Sequence, residues 1–187
     1  MRNDKSIKKH SIKNCISEIK SKKFKFQINS IKLPNGHEGE YGAIIHPGAA
    51  LAVPITNEGN VIILRQYRFA VSRYILEFPA GTLEEGETPL NSIKREIKEE
   101  TGYRAETWDK LGVLVPAPGY ADEEIHLFLA RDISKLGKRP TGDLDEDIEV
   151  LILSPFELDN LIASGEEILD GKTVTAWFRT KQFLKFK

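Results

Sequence analysis

The stretch from Gly81 to Tyr103 reads GTLEEGETPLNSIKREIKEETGY and decides how the rest of the chain is interpreted. Thr88 is suited to the N-cap of a helix, and Pro89 to its first position, where a backbone N–H is not needed. Apolar residues then recur at helical spacing and predict a face turned toward a core: Leu90, Ile93 and Ile97. Gly102 can end the helix in the left-handed conformation. The stretch therefore predicts a helix over residues 89–101.

Three carboxylates fall on one side of this predicted helix. Glu96 and Glu100 are i, i+4 neighbours, and Glu99 lies within the same arc. Like charges at this spacing repel each other, and a bound divalent cation would reverse that repulsion. Ligands that are all oxygen favour Mg²⁺ or Mn²⁺ over zinc. An isolated KREIKEE string is usually a solvated acidic face, but the fixed offsets of Gly81 and Glu87 favour a metal site here.

Gly81, Glu87 and the segment 95–103 together resemble the Nudix box, the signature of hydrolases that cleave a nucleoside diphosphate linked to another group. Tyr103 stands where an aliphatic residue is commoner, and its ring is still largely apolar. The resemblance implies an α/β protein of the Nudix type, an α/β/α sandwich with a mixed sheet. Strand-like residues before position 46 add N-terminal antiparallel strands to this expectation.

Composition indicates an ordinary globular protein. The 187 residues are 40% hydrophobic and 29% charged, and the net charge of -1 gives no reason to expect nucleic acid as a partner. The basic residues of the first 25 positions are expected to form a solvated start. The single Cys15 fits a reducing compartment. The sequence shows no apolar run of membrane-spanning length and no signal-peptide core, so we expect no membrane association and a cytoplasmic location.

Periodicity and turn signals predict how strands and helices are distributed. Paired strands are expected within residues 12–33, followed by an Asn-Gly turn at 34–37. Further strands are predicted at 41–46, 49–55, 61–64, 111–115, 125–130 and 148–153, and helices at 154–163 and 174–184. The elements interleave without a strict βαβ rhythm, which predicts a mixed sheet covered by helices on both faces. We expect residues 1–45 to be a strand region involved in dimerisation, and residues 46–187 to be the Nudix hydrolase domain.

The flanks of the box resemble one branch of the superfamily, the ADP-ribose pyrophosphatases. The similar segments are AIIHPGA at 43–49, RQYR at 65–68, LEFPAG at 76–81, APGYADE at 117–123 and DEDIEV at 145–150. Relatives in that branch have a proline about sixteen residues beyond the box glycine, and Pro118 is sixteen residues beyond Gly102. The resemblance covers about residues 40–180.

The resemblance implies a role for each matching position. The metal ligands would be the carboxylates of Glu96, Glu99 and Glu100 and the main-chain carbonyl of Ala80, holding Mg²⁺ or Mn²⁺. Glu99, Glu100 and Glu146 would be the catalytic carboxylates. Glu146 matches the loop acid that serves as base or extra metal ligand, although Asp143, Asp145 and Asp147 crowd the same loop and Leu144 stands where some relatives place an acid. The substrate-binding residues would be Arg68, on the diphosphate, and Pro118 and Gly119, beside the terminal ribose.

Some of these residues have structural alternatives. Arg68 could pair with a surface acid instead of substrate. Glu77 could be a buried hydrogen-bond anchor. Glu87 and Arg95 are expected to pair with each other or with a helix carboxylate and so hold the loop in place.

The function implied is Mg²⁺-dependent hydrolysis of ADP-ribose, or a related nucleoside diphosphate sugar, to AMP and ribose 5-phosphate. One alternative is a Nudix hydrolase for another nucleotide sugar, such as ADP-glucose or GDP-mannose. A second is a Nudix-like sensor that binds a nucleotide without cleaving it, which usually carries a DNA-binding module or lacks box glutamates. Relatives are commonly homodimers, so a homodimer is expected.

Overall fold

A computed structural model describes residues 9–137 and 147–185. This described part of the chain falls into two compact units. The first contains the residues up to Pro47 together with Ala117–Glu123, and the second contains Gly48–Pro116 and the residues from Glu124 onward. The expected division into 1–45 and 46–187, with dimerisation assigned to the first region, stays a prediction.

The first unit contains an antiparallel sheet of three strands in the order β1-β2-β3: β1 (Ser11–Lys20), β2 (Lys25–Lys32) and β3 (Glu38–Ile45). The predicted Asn-Gly turn joins β2 to β3. Gly36 has a φ of 90°, and the His37 amide donates to the Asn35 side chain at 3.0 Å. Every residue of β1 is exposed.

The described part of the second unit contains seven strands: β4 (Ala49–Pro54), β5 (Val61–Arg68), β6 (Arg73–Glu77), β7 (Ala80–Thr82), β8 (Tyr103–Leu114), β9 (Ile125–Lys135) and β10 (Ile148–Leu153). One sheet has the order β7-β4-β9-β8 and is mixed, because β4 and β9 are parallel while the other pairs are antiparallel. The second sheet has the order β10-β5-β6 and is antiparallel.

Helices pack on both faces of these strands. They are α1 (Pro89–Glu96), which continues into a π-helical turn (Ile97–Thr101), then α2 (Pro155–Ser164) and α3 (Gly171–Lys185). Alternation along β4 shows the two faces: Ala50 and Ala52 pack in a cluster with residues of α1, whereas Leu51 and Val53 pack in a cluster with residues of α2 and α3. The predicted α/β/α sandwich is therefore confirmed.

Several boundaries differ from the predicted ones. Strands β6 and β7 were not predicted, because each is short and β7 has only three residues. Strand β8 begins at Tyr103 and not at residue 111. Its first half was not predicted because charged exposed residues alternate there with residues that are only partly buried. The predicted helix 89–101 is α-helical only to Glu96 and then widens into the π turn. No helix in the described ranges combines the length and apolar character needed to span a membrane.

Candidate active site

The helix that carries the three glutamates is fixed at both ends as the sequence predicts. The Thr88 hydroxyl accepts a hydrogen bond from the Asn91 amide at 3.3 Å, and Pro89 occupies the first turn. Gly102 ends the helix in the left-handed region with a φ of 75°. Between these ends, the Thr101 hydroxyl donates a short hydrogen bond to the Ile97 carbonyl within the π turn. Such turns occur mostly within α-helices and frequently at functional sites.

Gly81 on β7 allows the glutamate helix to lie directly against the strand. A Cβ atom placed on Gly81 would overlap the side chain of Glu96, with the carboxylate as its nearest neighbour. Only a residue without a side chain can occupy this position without displacing Glu96. Gly81 does not have a positive φ, so a glycine is needed here for the close approach of Glu96 and not for the backbone conformation.

Glu100 packs against the neighbouring residue of the same strand. Its side chain is almost fully buried, at 3% exposure, and its Oε2 accepts a hydrogen bond from the Ala80 amide at 3.0 Å. The carbonyl predicted as a metal ligand belongs to this same Ala80. The structure thus brings three residues of the predicted site, Ala80, Glu96 and Glu100, together beside Gly81.

Arg95 joins the remaining carboxylates into one network. Its Nη1 lies 2.9 Å from Oε1 of Glu96 and 2.9 Å from Oε2 of Glu99, and its Nη2 donates to Glu87 at 3.2 Å. The expected pairing of Glu87 with Arg95 is therefore confirmed. Partial burial opposes ionisation of Arg95, but Glu87, Glu96 and Glu99 outweigh it and raise its pKa. The hydrogen bond from Arg95 in turn lowers the pKa of Glu87.

The donors gathered here are carboxylate and carbonyl oxygens, the ligands that Mg²⁺ and Mn²⁺ prefer. Within residues 9–137 and 147–185, no three His, Cys, Asp or Glu side chains converge closely enough to hold a metal ion as they stand. Arg95 supplies the positive charge between Glu96 and Glu99 instead. The oxygen donors match a divalent ion in type, and the assignment of Glu96, Glu99, Glu100 and the Ala80 carbonyl as its ligands stays a prediction.

Arg68, predicted to bind the diphosphate, forms a two-pronged ion pair with Glu77. Its Nε lies 2.5 Å from Oε1 and its Nη2 lies 2.8 Å from Oε2 of the carboxylate. The acid is not at the surface, because the Glu77 side chain is only 1% exposed. Glu77 is thus the buried hydrogen-bond anchor that its position before Phe78-Pro79 suggested, and the substrate role of Arg68 stays a prediction.

Lys172 is a further member of this network that the sequence did not reveal. Its ammonium donates short hydrogen bonds to Glu77 and to Asp170, and Asp170 also caps α3 by accepting from the Thr173 amide at 2.8 Å. Burial alone would raise the pKa of Glu77, but the Arg68 hydrogen bonds and the Lys172 charge lower it. The sequence signal that could have indicated this region is Asp170, an acid suited to an N-cap directly before α3.

The remaining predicted residues belong to the first unit or fall outside the described ranges. Pro118 and Gly119 are exposed and belong to the first unit, in a turn where the Ala117 carbonyl accepts from the Tyr120 amide at 3.1 Å. Their contact with substrate stays a prediction. Glu146 lies outside the described residues, as do Asp143, Leu144 and Asp145. Asp147 is described, and its carboxylate accepts a short hydrogen bond from the Tyr74 hydroxyl.

Comparison with curated proteins gives relatives that align along most of the chain. A methanol dehydrogenase activator from Bacillus methanolicus is 40% identical over 167 residues, covering 87% of this chain and 89% of the relative. An ADP-ribose pyrophosphatase from Bacillus subtilis strain 168 is 38% identical over 149 residues, or 80% of each chain. A GDP-mannose pyrophosphatase from Escherichia coli K12 is 37% identical over 134 residues, covering 68% of this chain and 69% of the relative.

Solved structures and family models agree with these relatives. A crystal structure of an ADP compounds hydrolase superposes with a TM-score of 0.79 at 25% identity, over 96% of both chains. The NUDIX domain model matches residues 45–178, which include the box, its preceding strands and α2. The resemblance seen in the box and its flanks is therefore confirmed, and the chain belongs to the NUDIX domain family as a Nudix hydrolase.

Proposed function

We propose that this Nudix hydrolase cleaves the diphosphate of ADP-ribose, or a closely related nucleoside diphosphate sugar, giving AMP and ribose 5-phosphate. The observation that carries the proposal is the cluster of box carboxylates held against β7, where Gly81 admits Glu96 and Ala80 binds Glu100. A cluster of this kind suits chemistry in which negative charge builds on phosphate oxygens.

The proposed mechanism assigns roles in metal binding, substrate binding and proton transfer. Glu96, Glu99, Glu100 and the Ala80 carbonyl would hold Mg²⁺ or Mn²⁺, which would supply positive charge to the diphosphate and lower the pKa of bound water. Arg68 binds the diphosphate oxygens, because a planar guanidinium matches phosphate geometry. Glu146, or a box glutamate such as Glu99, takes the proton of the attacking water. A larger kcat loss in Asp145→Asn than in Glu146→Gln would move the base to Asp145.

The relatives support a nucleoside diphosphate sugar as substrate, but they do not all point to the same sugar. The names of the Bacillus subtilis relative and of the solved structure refer to ADP-ribose and to ADP compounds. The Escherichia coli relative is named for GDP-mannose. The ADP-ribose reading is preferred because the flanking segments, with Pro118 and Gly119, resemble that branch. The proline restricts its loop and the glycine permits close backbone approach, so the pair can form a wall for the terminal ribose.

A substrate panel tests this proposal. We expect kcat/KM for ADP-ribose to exceed that for ADP-glucose, GDP-mannose, ATP and dinucleoside polyphosphates, with AMP and ribose 5-phosphate identified by ³¹P NMR. Equal or better turnover of GDP-mannose or ADP-glucose would reduce ADP-ribose to a side substrate. Tight binding of a nucleotide with no cleavage of any compound would favour the sensor alternative.

We also propose a homodimer in a reducing compartment, the cytoplasm. Strand β1 is exposed along its whole length and carries large apolar side chains at Ile12, Ile16 and Ile19, which a second copy could cover. The single Cys15 fits the compartment. A light-scattering mass of one chain at micromolar concentration would contradict the dimer.

A further inference from the structure

Four charged side chains of alternating sign link the end of β5 to the start of α3. Arg68 pairs with Glu77, Glu77 also accepts from Lys172, and Lys172 donates to Asp170. The series links three elements, because Arg68 ends β5, Glu77 ends β6 and Lys172 lies in the first turn of α3. Asp170 directly precedes α3. The Glu77 carboxylate thus pairs with two cations, Arg68 and Lys172.

Because Glu77 is buried, its negative charge must be balanced by the cations that pair with it. The Glu77 side chain is 1% exposed, whereas Lys172 and Asp170 are 17% and 18% exposed and Arg68 is 39% exposed. An ionised carboxylate without access to water must be compensated by its partners. Arg68 is the member of the four that extends furthest into solvent, so it is the one that can meet an anionic ligand.

We propose that Lys172 is a positioning residue that sets how much of the Arg68 charge is available to a diphosphate. The inference rests on the proposed assignment of Arg68 to the substrate diphosphate. Lys172 takes up part of the negative charge of Glu77, so the Arg68–Glu77 pair does not neutralise itself completely. Lys172 itself does not touch the substrate and acts through Glu77.

The alternating order gives the two ends of the series opposite effects. When Lys172 loses its charge, Glu77 is left to Arg68 alone, and the guanidinium is held more tightly and neutralised more fully. When Asp170 loses its charge, the Lys172 ammonium turns wholly to Glu77, and Arg68 is released toward solvent. A role limited to stabilising the fold would instead make both substitutions act in the same direction.

Binding of α,β-methylene-ADP in the presence of Mg²⁺, measured by calorimetry, tests these effects without hydrolysis. We expect Lys172→Met to weaken binding about tenfold, the scale of one lost charge-assisted interaction. We expect Asp170→Asn to strengthen it by about twofold to threefold, as for a partly exposed ion pair. Asparagine caps helices as well as aspartate does, so the Thr173 amide keeps its acceptor.

Two controls separate the proposed effect from general ones. In an Arg68→Met background, both substitutions are expected to change affinity by less than about twofold, because the effect passes through Arg68. Lys181→Met removes another lysine of α3, one that pairs with Asp159 at 2.6 Å, and is expected to leave affinity unchanged. Melting curves check that each variant is folded. Should Lys172→Met not fold, Asp170→Asn and the rescue expected in Lys172→Arg carry the test.

The outcomes distinguish this inference from the proposed function. Changes of the same sign in the two variants, or changes that persist without Arg68, would overturn the role of Lys172 even if ADP-ribose is the substrate. Opposite changes that depend on Arg68 would support it even if another nucleotide sugar is turned over faster. Failure of the unmodified protein to bind the analogue would overturn both.

Discussion

Replacing Glu100 with glutamine is expected to lower kcat by about 10³-fold or more while the protein stays folded. Glutamine keeps the size of the side chain and an oxygen that can accept from the Ala80 amide, as Glu100 does at 3.0 Å. What it removes is the charge that a divalent ion at β7 needs. Steady-state kinetics at saturating Mg²⁺, together with a thermal melt, measure both parts of the expectation.

Glu106→Gln is the matched control for this substitution. Glu106 is a glutamate of the same unit, on β8, and its side chain is 68% exposed beside Arg104. The same chemical change there is expected to leave kcat within about twofold, as usual for a surface position. An unchanged rate in Glu100→Gln at saturating Mg²⁺ would contradict the proposed mechanism.

Gly81→Ala is expected to lower kcat/KM by about 10²-fold, the usual scale when a catalytic group is displaced by about 1 Å. The added methyl group would overlap the Glu96 side chain, so the carboxylate or the strand must move. The substitution keeps the chemical identity of every proposed ligand and changes only their geometry. A raised Mg²⁺ concentration at half-maximal rate, with little change in melting temperature, would identify the cause.

Gly137→Ala provides the control for added volume. A Cβ atom at Gly137 meets no described heavy atom within 4 Å, and its backbone does not have a positive φ. This variant is expected to keep full activity. Full activity in Gly81→Ala as well would mean that the position of Glu96 does not matter for catalysis.

The local parts of the fold were predictable because their causes lie close together in sequence. The cap at Thr88, the proline that follows it and the left-handed Gly102 fix the box helix within one short segment. Strand β10 likewise has the predicted bounds. Strand β7 could not be predicted, because three residues carry no periodicity and its identity depends on pairing with β4. The π turn was not predicted either, because helical spacing of apolar residues does not distinguish it from an α-helical turn.

In the candidate site, too, the residues that are close in sequence were predictable and the distant contacts were not. Glu96, Glu99 and Glu100 were identified by spacing within one helix, and Arg95 could be paired with Glu87 because the two are only eight positions apart in the chain. The contact between Lys172 and Glu77 joins residues that are 95 positions apart, so no local sequence pattern predicts it. Only the folded chain brings α3 to the end of β6.

The position of Arg95 among the box glutamates would affect the binding and release of a metal ion. A guanidinium that lies 2.9 Å from both Glu96 and Glu99 is a cation tethered to the chain. Its charge offsets the repulsion between these two acids within the chain itself. If Glu96 and Glu99 are metal ligands, as proposed, an incoming ion would have to compete with Arg95 for their oxygens. Such competition would favour an ion that exchanges readily with solvent over one that is retained permanently.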